Sequence, residues 1–216
     1  MIEQTPEGRR AFILANTRQQ APPHTPELVL HLADEITPIW KMTEEALEEI
    51  GLPPPFWAFA WAGGQALARY ILDNPHIVAG KRVIDFASGS GIVAIAAARA
   101  GAAHVLAADI DAYCGAALAL NAPANGVACD YTSADLLDAP PPLADVILAG
   151  DICYEKPLAA RVMAWHGPDR RPRPQLFPPR RPGQTRRIPG RHDARARGPG
   201  GQEDGGMELA GLGPAS

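Results

Sequence analysis

Blocks of apolar residues separated by short polar or proline- and glycine-bearing breaks run along the first 165 positions. Phe12, Ile13 and Leu14 inside a polar stretch predict a short helix over residues 5–20, broken by APPHTP at 21–26. Leu28 to Leu32 reads as a strand. Thr43, followed by Glu44 and Glu45, has the hydroxyl to cap a helix and the acids to suit its positive start; that helix runs to Ile50 and stops at Gly51. Pro53, Pro54 and Pro55 then hold an extended segment. Trp57 and Trp61 are four residues apart, a spacing that puts both on one face of a helix. Gln65 to Asp73 continues as a helix that Asn74-Pro75 ends.

From Lys81 the pattern becomes regular. Val83 to Phe86 is strand-like, and the wholly apolar Ile92–Ala98 reads as a buried helix closed by Gly101. His104 to Asp109 is a second strand, followed by an alanine-rich helix from about Ala112 to Asn121 with Asp111 as its cap. Asn125-Gly126 is a turn, Val127 to Tyr131 a weaker third strand, and Ala144 to Ala149 a fourth. Pro157 then opens a helix to Trp165. Strands alternating with helices predict an α/β protein with a Rossmann-like, doubly wound parallel sheet.

After residue 165 the periodicity is lost. Residues 166–216 hold 10 arginines, 9 prolines and 10 glycines, a composition that supports neither helix nor sheet. The chain therefore divides into an N-terminal helical segment and cover (1–80), a cofactor-binding core (81–165) and a disordered tail (166–216). The abrupt break inside a helix is the mark of a wrong reading frame entered near Met163 to Gly167, which would leave an inactive remnant. The net charge of −4 conceals a matching split: 10 basic and 19 acidic side chains in residues 1–165, then 10 basic and 5 acidic. A basic tail suits nucleic acid, but with Phe177 as its one aromatic residue it has no stacking platform. No apolar run approaches the ~20 residues of a membrane span. The polar first residues lack a secretory signal, and Cys114, Cys129 and Cys153 form no paired motif. A cytoplasmic monomer with free thiols and no structural metal is expected.

The chemistry concentrates between Arg82 and Ala98. A strand ends at Asp85-Phe86, a bend follows through Ala87, Ser88, Gly89, Ser90 and Gly91, and a helix begins. Small residues allow a sharp turn and a close backbone approach, and the helix start offers unpaired N–H groups and a positive dipole end. That is a cradle for a nucleotide-like cofactor. Gly89-Ser90-Gly91-Ile92-Val93-Ala94 fits the dinucleotide fingerprint, with Asp109 at the distance expected for a ribose ligand, so an NAD-dependent oxidoreductase is one reading. Asp85 at the strand end, where that fingerprint is apolar, and the turn's place far into the chain point elsewhere. Asp135 after the third strand either binds an adenine amino group or caps a helix. Gly150, Asp151 and Tyr154 follow the fourth strand and bring a carboxylate and a phenol to the same sheet edge. Trp61, next to Gly63-Gly64, is either core or a cover for the cofactor.

The arrangement D-x-x-x-G-x-G with a following acid-tipped strand resembles the S-adenosylmethionine site of class I, seven-strand methyltransferases. More specifically, HLADEITPIW (31–40), PPPFWAFAWAGGQALARYILDNP (53–75), VIDFASGSGIVAIAAA (83–98), AADIDAYCGAALALNAPANG (107–126) and GDICYEKP (150–157) resemble bacterial relatives of the electron transfer flavoprotein β-subunit lysine methyltransferase. The resemblance covers about residues 10–165. It implies a protein-lysine N-methyltransferase with S-adenosylmethionine as cofactor and an acceptor such as electron transfer flavoprotein β-subunit. It also implies that Trp61, Asp85, Ala87, Ser88, Gly89, Gly91, Asp109, Asp135 and Gly150 line the cofactor site, and that Asp151 and Tyr154 face the substrate. Ala87 stands where the family usually has glycine. The family's fifth strand and antiparallel pair have no counterpart in the tail.

Overall fold

The computed structural model describes residues 4–42, 44–49, 51–152 and 156–166. The Thr43 cap, Tyr154 and the tail with its reading-frame interpretation lie outside the described residues.

Four parallel strands form the central sheet: β3 (Arg82–Phe86), β4 (His104–Ala108), β5 (Asp130–Thr132) and β6 (Val146–Ala149), after a small antiparallel hairpin of β1 (Arg18–Gln20) and β2 (Leu30–Leu32). The sheet order is β5-β4-β3-β6. The chain winds outward from β3 to β4 and β5, then returns to place β6 on the other side of β3. The sheet is thus doubly wound, and its order reverses between β3 and β6, the crevice where such sheets bind ligands at their carboxyl ends.

Alternation along the strands sorts the core into two layers. Val83, Val105, Ala107, Val146 and Leu148 point to one face. There they pack with α3 (Ala62–Asp73) and α4 (Ile92–Arg99), whose residues from Ile92 through Ala97 are all buried. Ile84, Phe86, Ile147 and Ala149 point to the other face, covered by α6 (Lys156–His166) through Val162, Leu158 and Trp165. The Trp165 indole N–H donates to Ala139 O at 2.7 Å and its ring lies 5.7 Å from Phe86, which seats α6 at the sheet's carboxyl edge. α1 (Pro6–Asn16) packs on α5 (Ala112–Ala124) through Ile13, Tyr113 and Ala117, and α2 (Glu44–Glu49) adds Leu47 to that cluster.

Several elements depart from the sequence pattern. The first helix ends at Asn16, and β1 takes the residues beyond it. Only Leu30–Leu32 of the expected 28–32 strand pairs. α5 runs past Asn121 to Ala124, and β5 starts at Asp130. Trp57 and Trp61 do not share a helical face. Trp57 sits in a one-turn 3-10 segment, Phe56–Ala58, and is fully buried, stacked 5.7 Å from Tyr113. Trp61 is the N-cap of α3 and 45% exposed. Phe59 between them and Trp61 itself have extended backbone, which breaks the helix that the four-residue spacing implied. Among the described residues no helix is long and apolar enough to cross a membrane.

Candidate cofactor and methyl-transfer site

The bend after β3 is held by main-chain bonds and by acids at the ends of two strands, β3 and β4. Ser88 N–H donates to Ala108 O at 3.1 Å, and Gly91 N–H to Ser88 O at 2.8 Å. Gly91 has φ 80° and forms the N-cap of α4; a Cβ there would meet Leu118 Cδ1 at 2.6 Å. The left-handed backbone favours glycine there, and any β-carbon would also have to push the end of the Leu118 side chain aside. Ala87 has φ 55° and keeps its methyl in the same left-handed region.

Asp85 is 1% exposed and accepts from Ala94 N–H at 2.9 Å, on the first turn of α4. Burial pushes its carboxyl up to about 8; the Ala94 bond opposes this and the nearby Asp109 adds to it. Asp109, at the tip of β4, accepts from Gly89 N–H at 2.9 Å and Asp111 N–H at 3.0 Å. It therefore braces the glycine bend; the Cys114 thiol also bonds to this carboxylate, which still has acceptor capacity for a further donor. Asp111 accepts from Tyr113 N–H at 2.9 Å, the helix cap expected of it, and burial raises its carboxyl. Asp135 caps a 3-10 turn through Leu137 N–H at 2.9 Å and also lies 3.5 Å from Arg161 Nη2. Both of its sequence readings thus remain compatible with its position.

Two adjoining cavities open along this edge. The larger, about 150 Å³, is lined by Ala87, Asp109, Ile110, Asp135, Leu137 and Arg161 among others. The smaller, about 50 Å³, is lined by Phe59, Trp61, Asp85, Ala87, Ser88, Gly89, Gly150 and Asp151 among others. Ala87 borders both. Ser88 is 6% exposed, lines the smaller cavity, and its Oγ has no hydrogen-bond partner. A buried hydroxyl without a partner is costly, so its position points to a polar ligand group.

Asp151 accepts from Gly63 N–H at 2.9 Å and Gly64 N–H at 2.6 Å. It thereby caps α3 from the end of β6. A Cβ on Gly63 would lie 2.5 Å from Asp151 Oδ1, and one on Gly150 would lie 3.0 Å from Gly64 Cα. These glycines let helix and strand end meet. Trp61 N–H donates to Phe56 O at 2.9 Å, which fixes the indole at the cavity wall.

The sequence-predicted residues Trp61, Asp85, Ala87, Ser88, Gly89, Gly150 and Asp151 thus converge on one cavity, and Ala87, Asp109 and Asp135 on the other. Gly91 shapes the bend and lines neither. Sequence reasoning missed Phe59, Ile110, Leu137, Leu158 and Arg161. Leu158 and Arg161 stand three apart on α6, a spacing that signals one helix face but not which cavity that face covers.

A family model described as ribosomal protein L11 methyltransferase (PrmA) matches residues 65–153. The Caenorhabditis elegans electron transfer flavoprotein beta subunit lysine methyltransferase homolog is 32% identical over 180 residues, covering 76% of this chain and 72% of that protein. The chain belongs to the electron transfer flavoprotein β-subunit lysine methyltransferase family. The Xenopus laevis member is 40% identical over 157 residues, covering 72% of this chain and 63% of that protein. The chain thus spans less than two thirds of the length of several relatives in this family; for the rat protein the share is 54%. The crystal structure of a ribosomal protein L11 methylase from Lactobacillus delbrueckii subsp. bulgaricus is 35% identical to this family member, with a TM-score of 0.36, covering 40% of this chain and 45% of that one.

Proposed function

We propose that this chain is an S-adenosylmethionine-dependent protein-lysine N-methyltransferase. The observation that carries the reading is the pair of cavities meeting at Ala87, with an unpartnered Ser88 hydroxyl in the smaller one. A long ligand with a nucleoside at one end and an amino acid at the other suits such a site. Asp109 and Asp135 are the acceptors for the nucleoside's hydroxyl and amino groups. Ser88, the Gly89 backbone and Trp61 flank the amino-acid end, with Asp85 and Gly91 holding the bend. When bound, the cofactor supplies an electrophilic methyl on a sulfonium. The names of relatives support a lysine acceptor, with electron transfer flavoprotein β-subunit as the first protein to try. The relatives named above are methyltransferases, which favours this reading of the turn over the dinucleotide one. Residues 1–80 act as cover and 81–165 as cofactor core, and the free Cys114 and Cys129 suit a reducing cytoplasm.

The lysine nitrogen would have to arrive neutral: its lone pair would form the N–C bond as the sulfonium's C–S bond broke, with that pair of electrons left on the departing thioether sulfur, and the nitrogen would then shed a proton. At pH 7 the neutral amine costs about 4.6 kcal/mol, given a free pKa near 10.4. Asp151 is the group that orients the incoming ammonium by a charge-assisted bond, through lone pairs that the α3 cap leaves free. Its charge favours the protonated amine, so the lowering must come from the sulfonium's positive charge and from excluding water. Tyr154, three residues on, supplies a wall and a hydrogen bond in this reading. Alignment then carries most of the acceleration.

Calorimetry with S-adenosylmethionine, together with transfer of a labelled methyl to electron transfer flavoprotein β-subunit, tests the proposal. Binding is expected in wild type. In Asp151→Asn, binding is expected to persist while transfer is abolished. Absence of binding heat in wild type sinks the methyltransferase reading, and full turnover in Asp151→Asn removes Asp151 from the reaction centre.

A further inference from the structure

Phe56, Phe59 and Trp61 form an aromatic corner at the rim of the smaller cavity. The Phe56 and Trp61 rings are 5.8 Å apart and inclined at 58°; Phe59 and Trp61 are also 5.8 Å apart, at 68°. Phe56 is 50% exposed and Trp61 45%. Phe59 and Trp61 belong to the cavity wall that also holds Asp151, whereas Phe56 lines neither cavity and stands on the solvent side. The indole N–H is already engaged by Phe56 O, so Trp61 presents ring surface and no donor. Large aromatic surface left half in water beside a cavity marks a binding surface.

We infer that this corner is the acceptor subsite, which receives the unbranched stem and cationic head of a lysine side chain and retains its methylated ammonium through the ring faces. The inference rests on the methyltransferase reading and names the residues that select the acceptor. Three observations specify the occupant. The rings cluster within 5.8 Å of one another, and Phe56 and Trp61 are half exposed, so a compact cation at the corner has exposed aromatic surface beside it, and ring faces attract positive charge. The carboxylate on the same wall is Asp151, and residues 1–165 carry a balance of −9, so the body complements a basic partner. The chemistry also requires a second grip. Each methyl added to the nitrogen removes an N–H donor and leaves the charge, so hydrogen bonding to Asp151 fades while attraction to the rings persists.

The test uses the full chain and two capped amino acids: N-acetyl-Nε-trimethyllysine methylamide and its neutral isostere, with C(CH₃)₃ in place of N(CH₃)₃⁺. The ¹⁵N–¹H signal of the Trp61 indole, assigned by its loss in Trp61→Phe, reports binding at the corner. The charged probe is expected to bind about two- to five-fold more tightly than the neutral one, the range for a cation–π contact at an exposed site. In Phe56→Leu that preference is expected to fall towards one, while S-adenosylmethionine still binds with wild-type affinity by calorimetry. Equal binding of the two probes, no shift with either, or an undiminished preference in Phe56→Leu overturns the inference. If wild type gives no heat with S-adenosylmethionine, the methyltransferase reading itself fails and the acceptor subsite falls with it; heat without a charge preference removes the subsite alone.

Discussion

Ala87 holds the position where backbone geometry and side chain disagree. Its φ of 55° places a β-carbon in the left-handed region, at a cost of about 1–2 kcal/mol for an L-residue. No other described non-glycine residue has a positive φ. The methyl also stands at the junction of the two cavities. Ala87→Gly relieves the strain but loosens the unfolded chain by about 0.5–1 kcal/mol, so a net gain of about 0.5–1 kcal/mol is expected. The urea midpoint should rise with an unchanged slope, and calorimetry should show S-adenosylmethionine binding at least as tightly as in wild type. A lower midpoint would mean that the neighbouring bonds from Ser88 to Ala108 and from Gly89 to Asp109 make the left-handed bend easy to hold even with a methyl.

Among the elements, the junction of α3 with the end of β6 gives the sharpest contest between local and tertiary preference. On propensity alone, alanine at Gly63 should stabilise α3 by about 1 kcal/mol. The structure predicts the reverse sign, because the new Cβ would lie 2.5 Å from Asp151 Oδ1 and displace the carboxylate from both Gly63 and Gly64 N–H. Gly63→Ala is therefore expected to lower stability by roughly 1–3 kcal/mol in urea unfolding, with a parallel loss of methyl transfer. A raised midpoint would show that α3 does not need this anchor. The glycine pair was legible in the sequence as a place of close approach, but the approaching group is a carboxylate from 88 positions later, which no local pattern reveals. Local devices were more readable: Asp111 caps α5 as its position implied, since a cap involves only the next few residues. The β1–β2 hairpin was not readable. β1 is the polar triplet Arg18-Gln19-Gln20, and β2 is fixed by distant side chains: buried Asn121 accepts from His31 N–H at 2.8 Å and donates to Ser90 O at 2.9 Å. The same amide thus joins the hairpin to the cofactor bend. Trp57 and Trp61 misled because their spacing satisfies a helix while the chain between them is extended.

At the scale of the whole molecule, the switch between β3 and β6 gathers the acids of several strand tips around one low-dielectric edge, and this couples the site to global stability. The parallel, doubly wound sheet followed from the strand–helix alternation, but how far the acid-tipped strands bury their carboxyls depends on packing that the sequence does not display. Asp85 shows the consequence. Its carboxyl is pushed from 3.8 to about 8, chiefly by burial. The folded chain therefore keeps a proton that the unfolded chain releases between those values. Stability from this group is fully present below about pH 4 and declines as pH rises towards 8, by at most about 1.4 kcal/mol per pH unit. Asp111, also raised by burial, acts with the same sign. His31, held below its ordinary 6.5 by burial, acts with the opposite sign, since the fold then gains as pH rises to that value. Glu27 and Asp145 are lowered, and their contribution is lost only at more acid pH. The difference between wild type and Asp85→Asn isolates the one residue, because asparagine keeps an oxygen to accept from Ala94 N–H and does not titrate. Urea unfolding from pH 5 to 8 should show wild type losing stability relative to Asp85→Asn across the whole interval. Parallel curves would mean that Asp85 is ionised in the fold throughout, with α4's N-terminus holding the charge that burial opposes.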